Sequence, residues 1–458
     1  MRAAFYLFVF ACSLGLAAPT DSSAQESDAQ NVNLSTDQAR AVTVNALRSG
    51  NPGVADAISS ALLAQNPDDA QMLLVRAILA RQAGRFDVAQ EAASRAYANS
   101  ESDAVSFESA LVVADVLARD EKYLRSEFWL RRADQAASNE GQERAVERLF
   151  RQVNARNPLS IQLRFSARPS NNVNNGAEEL VIEIGGLPFR LSDSGQQLGG
   201  YETSVGLSLG YRLSEDATQR TEALLELFHR DIRLDSDAKD DAPDVEGSDF
   251  DYSVVIVGLR QQRLIWPDLG PTSFTGLLGQ SWYGEKKLAR WFELSGRQSV
   301  RLADDRVLTF GATARTELRL DGDINDSKQF GLSVDYRQAI EGAGSFGLGA
   351  TIRDIRSDSA TVDRFSTEIR GDRVFGQIGP MVPRISLSLQ NQNYHKFTST
   401  IDGRQDRSAT LGLSATFPDV RFYGFVPEAS IRARKTNSNV DIYDRNEYSF
   451  GVTMVSRF

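Results

Sequence analysis

The chain has 458 residues, with 51 basic and 61 acidic side chains and a formal net charge of -10. That acidic excess argues against nucleic acid as a partner, because such partners are held by basic surfaces. Hydrophobic content is 41% and mean hydropathy -0.33, with no internal run as long as a spanning helix. A barrel remains allowed, since a polar lumen dilutes the apolar count strand by strand.

Residues 1–24 read as an export signal. Arg2 supplies the positive start, an apolar stretch runs from Phe5 to Leu16, and small residues place cleavage after Ala18 or Ala24. The sole cysteine, Cys12, lies inside this segment. The alternative is a lipoprotein acylated at Cys12, but Phe10 is bulky for that site. Removal of the signal leaves no thiol, which suits an oxidising periplasm and excludes disulfides.

Residues 31–157 are rich in Ala, Leu, Arg, Glu and Gln, without strand alternation, and predict a periplasmic helical domain. Gly50 and Gly84 stand thirty-four positions apart, as do Ala55 and Ala89, which is the tetratricopeptide period. Leu73, Ala77, Gly84, Phe86 and Ala89 occupy the places where that motif wants small or packing residues. They mark an expected repeat groove for a peptide or protein segment. Pro67 closes the preceding repeat. A third unit with Phe107, Leu111, Tyr123, Leu130 and Ala133 is offset by three residues. A last helix over 142–154 ends at Asn157-Pro158.

After Pro158 the period changes from helical to two, and residues 159–458 predict an antiparallel barrel. Tyr201, Thr203, Val205, Leu207, Leu209, Tyr211 and Leu213 share one face, and Glu202, Ser204, Gly206, Ser208, Gly210 and Arg212 the other. About fourteen such segments are expected, an even number that suits a closed bacterial barrel. They begin near Ile161, Tyr201, Thr221, Asp249, Thr272, Ala289, Arg306, Ser327, Ser345, Asp363, Met381, Arg407, Arg421 and Asn446. Alternate connections are short, at 214–219, 303–305, 341–344 and 418–420, while 234–248 and 395–406 are longer and more polar. That parity puts the short turns, the helical domain and Phe458 in the periplasm. A water-soluble sandwich is the runner-up, but it leaves the Tyr and Phe flanking the apolar faces without a reason. In the final strand Tyr448, Phe450, Val452, Met454 and Phe458 line the lipid face and form an insertion signal for the barrel assembly machinery.

The fold class is therefore α + β with two domains: N-terminal α-helical tetratricopeptide-like repeats and a C-terminal antiparallel transmembrane β-barrel. Catalysis is not expected. His229, which precedes Arg230-Asp231, and His395, which follows Tyr394, are the two histidines; both fall near outer strand ends, where a pair is conceivable but solvated loop-edge histidines are the expectation. The aspartates of 235–251 match no calcium loop and read as a solvated outer loop. Arg212, Arg315, Arg319, Arg337, Arg353, Arg384, Arg432 and Arg434 interleave with Glu202, Glu317, Asp335 and Glu428 on lumen faces, as ladders that stiffen a barrel do. No phosphate-cradling glycine loop is present, and no cofactor or metal is expected. The string Asn171-Asn172-Val173-Asn174-Asn175-Gly176 reads as a tight turn opening a long connection. That connection is expected to fold over or into the lumen, which makes Asn172, Asn174 and Asn175 gating candidates.

These asparagines, Pro188-Phe189, Leu191-Ser192 and the glycine pair before the second long strand resemble the surface lipoprotein assembly modifier (Slam) family. So does the stretch 434–443 with Asn437, Asn439 and Tyr443, where Asn437 and Asn439 are further client or gating candidates. The resemblance spans residues 159–458. It implies a fourteen-stranded outer-membrane barrel of a Gram-negative cell with a periplasmic repeat domain and no catalytic residues. The implied function is translocation or display of a surface lipoprotein or secreted protein client. Implied partners are outer-membrane lipid, that client and a periplasmic chaperone. The alternative function is a passive or gated solute channel whose repeats dock a partner.

Overall fold

The computed structural model describes residues 34–178, 181–184, 187–398 and 403–456. The expected export signal, Cys12 and Phe458 lie outside them.

Seven helices come first: α1 (Thr36–Arg48), α2 (Pro52–Gln65), α3 (Ala70–Gln82), α4 (Phe86–Ala98), α5 (Asp103–Arg119), α6 (Tyr123–Gln135) and α7 (Glu140–Arg156). Ser35 opens α1 with a capping box to Gln38, and Asp69 caps α3 through the Met72 amide at 3.1 Å. Asp69 also accepts from Arg40 Nε at 2.8 Å, which ties α1 to the start of α3 and holds the Arg40 guanidinium above its usual range. Alanine lets the helices close. Ala55, Ala77 and Ala93 are fully buried beside Leu73, Met72 and Leu117, and Ala89 is fully buried beside Ala80 and Val116.

The repeat is visible in the backbone. Gly50 and Gly84 both turn left-handed, at φ 75° and 73°, just after α1 and α3. Glu121 takes the same conformation after α5, at φ 57°. It sits three residues beyond the thirty-four-residue period, as the offset third unit predicts.

α7 passes into the barrel through two residues. Its last carbonyls are capped from the barrel itself: Arg212 donates to the Ala155, Arg156 and Asn157 oxygens at 3.1, 3.0 and 2.9 Å.

The barrel strands are β1 (Leu159–Ser170), β4 (Gly200–Glu215), β5 (Gln219–Leu234), β6 (Tyr252–Trp266), β7 (Gly270–Tyr283), β8 (Lys286–Ala303), β9 (Arg306–Arg319), β10 (Ser327–Ile340), β11 (Gly344–Ser357), β12 (Arg364–Phe375), β13 (Val382–Tyr394), β14 (Arg404–Thr416), β15 (Phe425–Ser438) and β16 (Arg445–Ser456). They close antiparallel, each on its sequence neighbour, with β16 returning to β1. A separate hairpin, β2 (Val181–Ile184) and β3 (Leu187–Arg190), lies in the connection between β1 and β4. The largest departure from the expected starts is at β15, which begins at Phe425 rather than Arg421. One outer connection breaks the short–long alternation. Gly284 and Glu285, at φ 51° and 63°, join β7 to β8 in a two-residue turn with both residues left-handed.

Register places Tyr201, Val205, Leu209 and Tyr211 on the same face as Ile161, Leu163 and Phe165 of β1. Apart from the half-buried Leu209, these side chains, with Leu259, Leu278, Phe330, Ile369 and Ile431, are exposed, and together they form an apolar band round the barrel. In water such a band would be a severe liability, whereas acyl chains accept it. No described helix is long and apolar enough to cross a membrane.

The closing seam is the thinnest. Among the described residues β1 is in register with β16 at Phe165–Met454, Ser166–Thr453, Ala167–Val452 and Ser170–Ser449, whereas its pairing with β4 runs from Leu159 to Ser170. Pro169 has no amide proton to give, which accounts for part of the gap.

Candidate functional sites at the two ends of the barrel

At the extracellular end the long connection turns inward. Asn172, Val173, Asn174 and Asn175 line a cavity of about 740 Å³ together with the lumen side chains Arg168, Glu202, Arg230, Arg432, Arg434 and Glu447. The asparagine string shapes that turn as its chemistry allows. Asn175 is left-handed at φ 60°. Asn172 exchanges two bonds with Gly176, at 3.0 and 2.8 Å, and is buried. Asn174 donates to the Ser194 and Gln196 oxygens at 3.1 and 2.6 Å and accepts from the Leu198 amide at 3.0 Å. A Cβ on Gly176 would stand 2.1 Å from the Gln196 oxygen, so only glycine lets the two arms of the connection meet. Asn171 closes the same corner, donating to the Asn446 oxygen at 2.9 Å and accepting from the Tyr448 amide at 2.6 Å.

The next connection is not the solvated loop expected. Val173 and Leu198 pack with Ile232, Leu234, Ala238, Ala242 and Phe250 in a small core over the barrel mouth. Three of its aspartates, Asp235, Asp249 and Asp251, bond backbone amides, while Asp237, Asp240, Asp241 and Asp244 stay exposed. Asp235 caps a short helix, α8 (Ser236–Asp241), through Ala238 at 2.9 Å, and Asp251 accepts from the Ile232 amide at 2.8 Å. Sequence reading saw the charge of this segment and missed its apolar minority.

Asn439 ties the last outer connection down, donating to the Gly403 oxygen at 2.8 Å and accepting from the Gln405 amide at 2.7 Å. Asn437 instead pairs with Arg407 on the outer face, away from the mouth. Below the mouth the lumen charges form ladders. Arg315 bridges Glu317 at 2.5 Å and Glu293 at 3.9 Å, Asp372 joins Arg337 and Arg384 at 3.5 and 3.2 Å, and Arg370 pairs with Asp335. His229 hydrogen-bonds Ser253 Oγ at 2.8 Å on the outer face of β5, and His395 follows β13. Those strands stand apart in the wall, so the histidines do not form one site.

At the opposite end the helical module is fastened to the turn between β14 and β15. Arg421 reaches Glu143 at 2.7 Å and Asp134 at 3.5 Å, and the Tyr423 amide donates to Gln135 at 3.1 Å. Arg131 lies over the Phe150 and Phe425 rings, 5.2 and 5.8 Å from their centroids, and donates to the Gly424 oxygen at 3.3 Å. Burial holds its guanidinium below the usual range. Nothing local announces this junction, because its partners lie in different domains. Arg421 had the look of a strand residue.

Leu73, Ala77 and Ala89 sit inside the helix packing, Gly84 is in a turn, and Phe86 lies half-exposed under Arg119. Leu73, Ala77 and Ala89 set the helix spacing, while Gly84 and Phe86 reach the surface. A cleft of about 340 Å³ lies between α5, α6 and α7, bounded by Leu111, Ala118, Leu130, Leu149 and Val153. In β16, Tyr448, Phe450 and Val452 are exposed on the apolar band and Met454 is half-buried on the same face.

A closed, apolar-belted barrel with a helical repeat module on one end is the architecture of an outer-membrane protein, and that is the class to which this chain belongs. Residues 325–458 match the family model described as surface lipoprotein assembly modifier. No curated protein matches the chain. Among solved structures, the type III secretion translocator chaperone SycD of Yersinia enterocolitica is 18% identical, covering 27% of this chain and 88% of its own, at a TM-score of 0.24. OccAB3 of Acinetobacter baumannii is 8% identical, covering 64% and 98%, at 0.34. The outer membrane protein OprD of Pseudomonas aeruginosa is 10% identical, covering 66% and 93%, at 0.31.

Proposed function

We propose that this protein assists the passage of a lipoprotein or another protein client to the cell surface, with the helical repeats holding the client in the periplasm. The observation that carries this reading is the family match over residues 325–458. The structure adds two supports. The Arg421 junction fixes the repeats at the barrel end, inside the matched segment. The cleft of α5, α6 and α7 offers an apolar surface for an extended segment. A periplasmic chaperone delivers the client, and the barrel assembly machinery reads Tyr448, Phe450, Val452, Met454 and Phe458 during insertion. The driving force is client folding or binding outside, since nucleotides are scarce in the periplasm.

Deletion of the gene followed by protease shaving of intact cells tests the reading. Loss of one surface protein is the expected result; an unchanged surface proteome would sink it. One observation favours the second reading, a solute channel. The 740 Å³ cavity shares Arg168, Arg432 and Ser449 with a further polar cavity of about 440 Å³, so the lumen holds connected water-accessible space. A steady conductance of purified protein in planar bilayers would favour the channel.

A further inference from the structure

The lipid-facing wall of β12 to β15 carries a recess of about 590 Å³ near the extracellular strand ends. Two rows of register build it. Ile369, Leu389, Ala409 and Lys435 pair in succession across the four strands. One step toward the outside, Thr367, Asn391, Arg407 and Asn437 do the same. Ala409, between larger neighbours, makes the hollow. Its floor is apolar and open to lipid, with Ile369 62% and Leu389 49% exposed.

The rim is cationic. Arg407 and Lys435 are diagonal neighbours, which places their Cβ atoms about 7–8 Å apart, a span that one phosphate group bridges. Both side chains are exposed. Every same-face neighbour in register is uncharged: Asn391 and Asn437 beside Arg407, Ala409 and Asn446 beside Lys435. Two like charges without a local counter-ion among the described residues, above an apolar floor and on a lipid face, suit an anion that brings its own acyl chains. Lone polar residues at a membrane interface do not need this arrangement; the paired cations and the shaped hollow beneath them do.

We propose that this recess binds a phosphorylated, acylated glycolipid of the outer leaflet. The phosphate sits between Arg407 and Lys435, the Asn391 and Asn437 amides bond its sugar hydroxyls, and an acyl chain lies along Ile369 and Leu389. The site is independent of the client and goes beyond the function proposed above.

Native mass spectrometry of the full chain in detergent tests it with three probes: bisphosphoryl lipid A, its dephosphorylated form and phosphatidylglycerol. The intact protein is expected to retain bisphosphoryl lipid A over both others. R407A/K435A is expected to lose about tenfold or more of that retention. R407K/K435R keeps it, and R263A/R306A, toward the periplasmic end, leaves it unchanged. Heat-modifiable gel mobility verifies that each variant is a folded barrel, and the single variants R407Q and K435Q carry the same test should the double variant fail to fold. Equal retention of lipid A and phosphatidylglycerol by the intact protein, or undiminished retention in the neutral variants, would overturn the proposal.

Discussion

Arg421 Nη2 stands 2.7 Å from Glu143 Oε1, joining the last periplasmic turn of the barrel to α7. The same guanidinium reaches Asp134, whose side chain is fully buried. Removing one partner of a buried ion pair costs on the order of 3 kcal/mol, because the other charge stays desolvated. Arg421→Ala should therefore release the module from the barrel while leaving each part folded. Spin labels at Glu91 and Asp304 should show one narrow distance distribution in the parent and a broad one in the variant. An equally narrow distribution would show that Arg131 and Arg212 suffice.

Glu121 holds a left-handed backbone where the first two repeats use Gly50 and Gly84. For a residue with a Cβ that conformation costs roughly 1 kcal/mol. Glu121→Gly is expected to raise the stability of the helical module by about that amount, measured by urea denaturation. Gly84→Glu should move it the other way.

Burial raises the Glu127 carboxyl above its ordinary value of 4.5, against the bond from Asn157 at 2.9 Å and the nearby Arg131 charge. A carboxyl whose folded value lies above its unfolded one binds the extra proton in the folded state. Its contribution is complete below 4.5 and is lost as pH rises through the folded value. The thermal midpoint of the module should accordingly fall over that window. Glu127→Gln keeps an acceptor for Asn157 and should flatten the fall; an unchanged slope would assign the effect to other groups.

Asn174 and Gly176 hold the inward connection by complementary means, one through bonds to Ser194, Gln196 and Leu198, the other by lacking a Cβ. Each hydrogen bond contributes about 1 kcal/mol net. Asn174→Ala and Gly176→Ala should both loosen the mouth. The expected readout is flickering conductance in planar bilayers where the parent is quiet, with the barrel's heat-modifiable mobility unchanged.

Much of this architecture was legible in residue order. Strands such as β4 and β9 announce themselves because one face meets lipid and the other water, so each position is constrained by its neighbour two away. The repeats were legible because Gly50 and Gly84 answer the same steric demand. What escaped were relations between distant segments. Arg421 with Glu143 leaves no periodic trace. The Asp-rich connection hid its core, because Ala238, Ala242 and Phe250 are outnumbered by the aspartates that cap its turns. Asn437 faces lipid rather than the mouth, for a register of two assigns it outward with Lys435.

The β1–β16 junction gives the wall a mechanical grain. With Pro169 interrupting the ladder and Asn171 clasping the top, this edge is the one where a lateral load meets least resistance. Among the described residues, a force prying the cylinder apart meets the fewest paired positions along this seam.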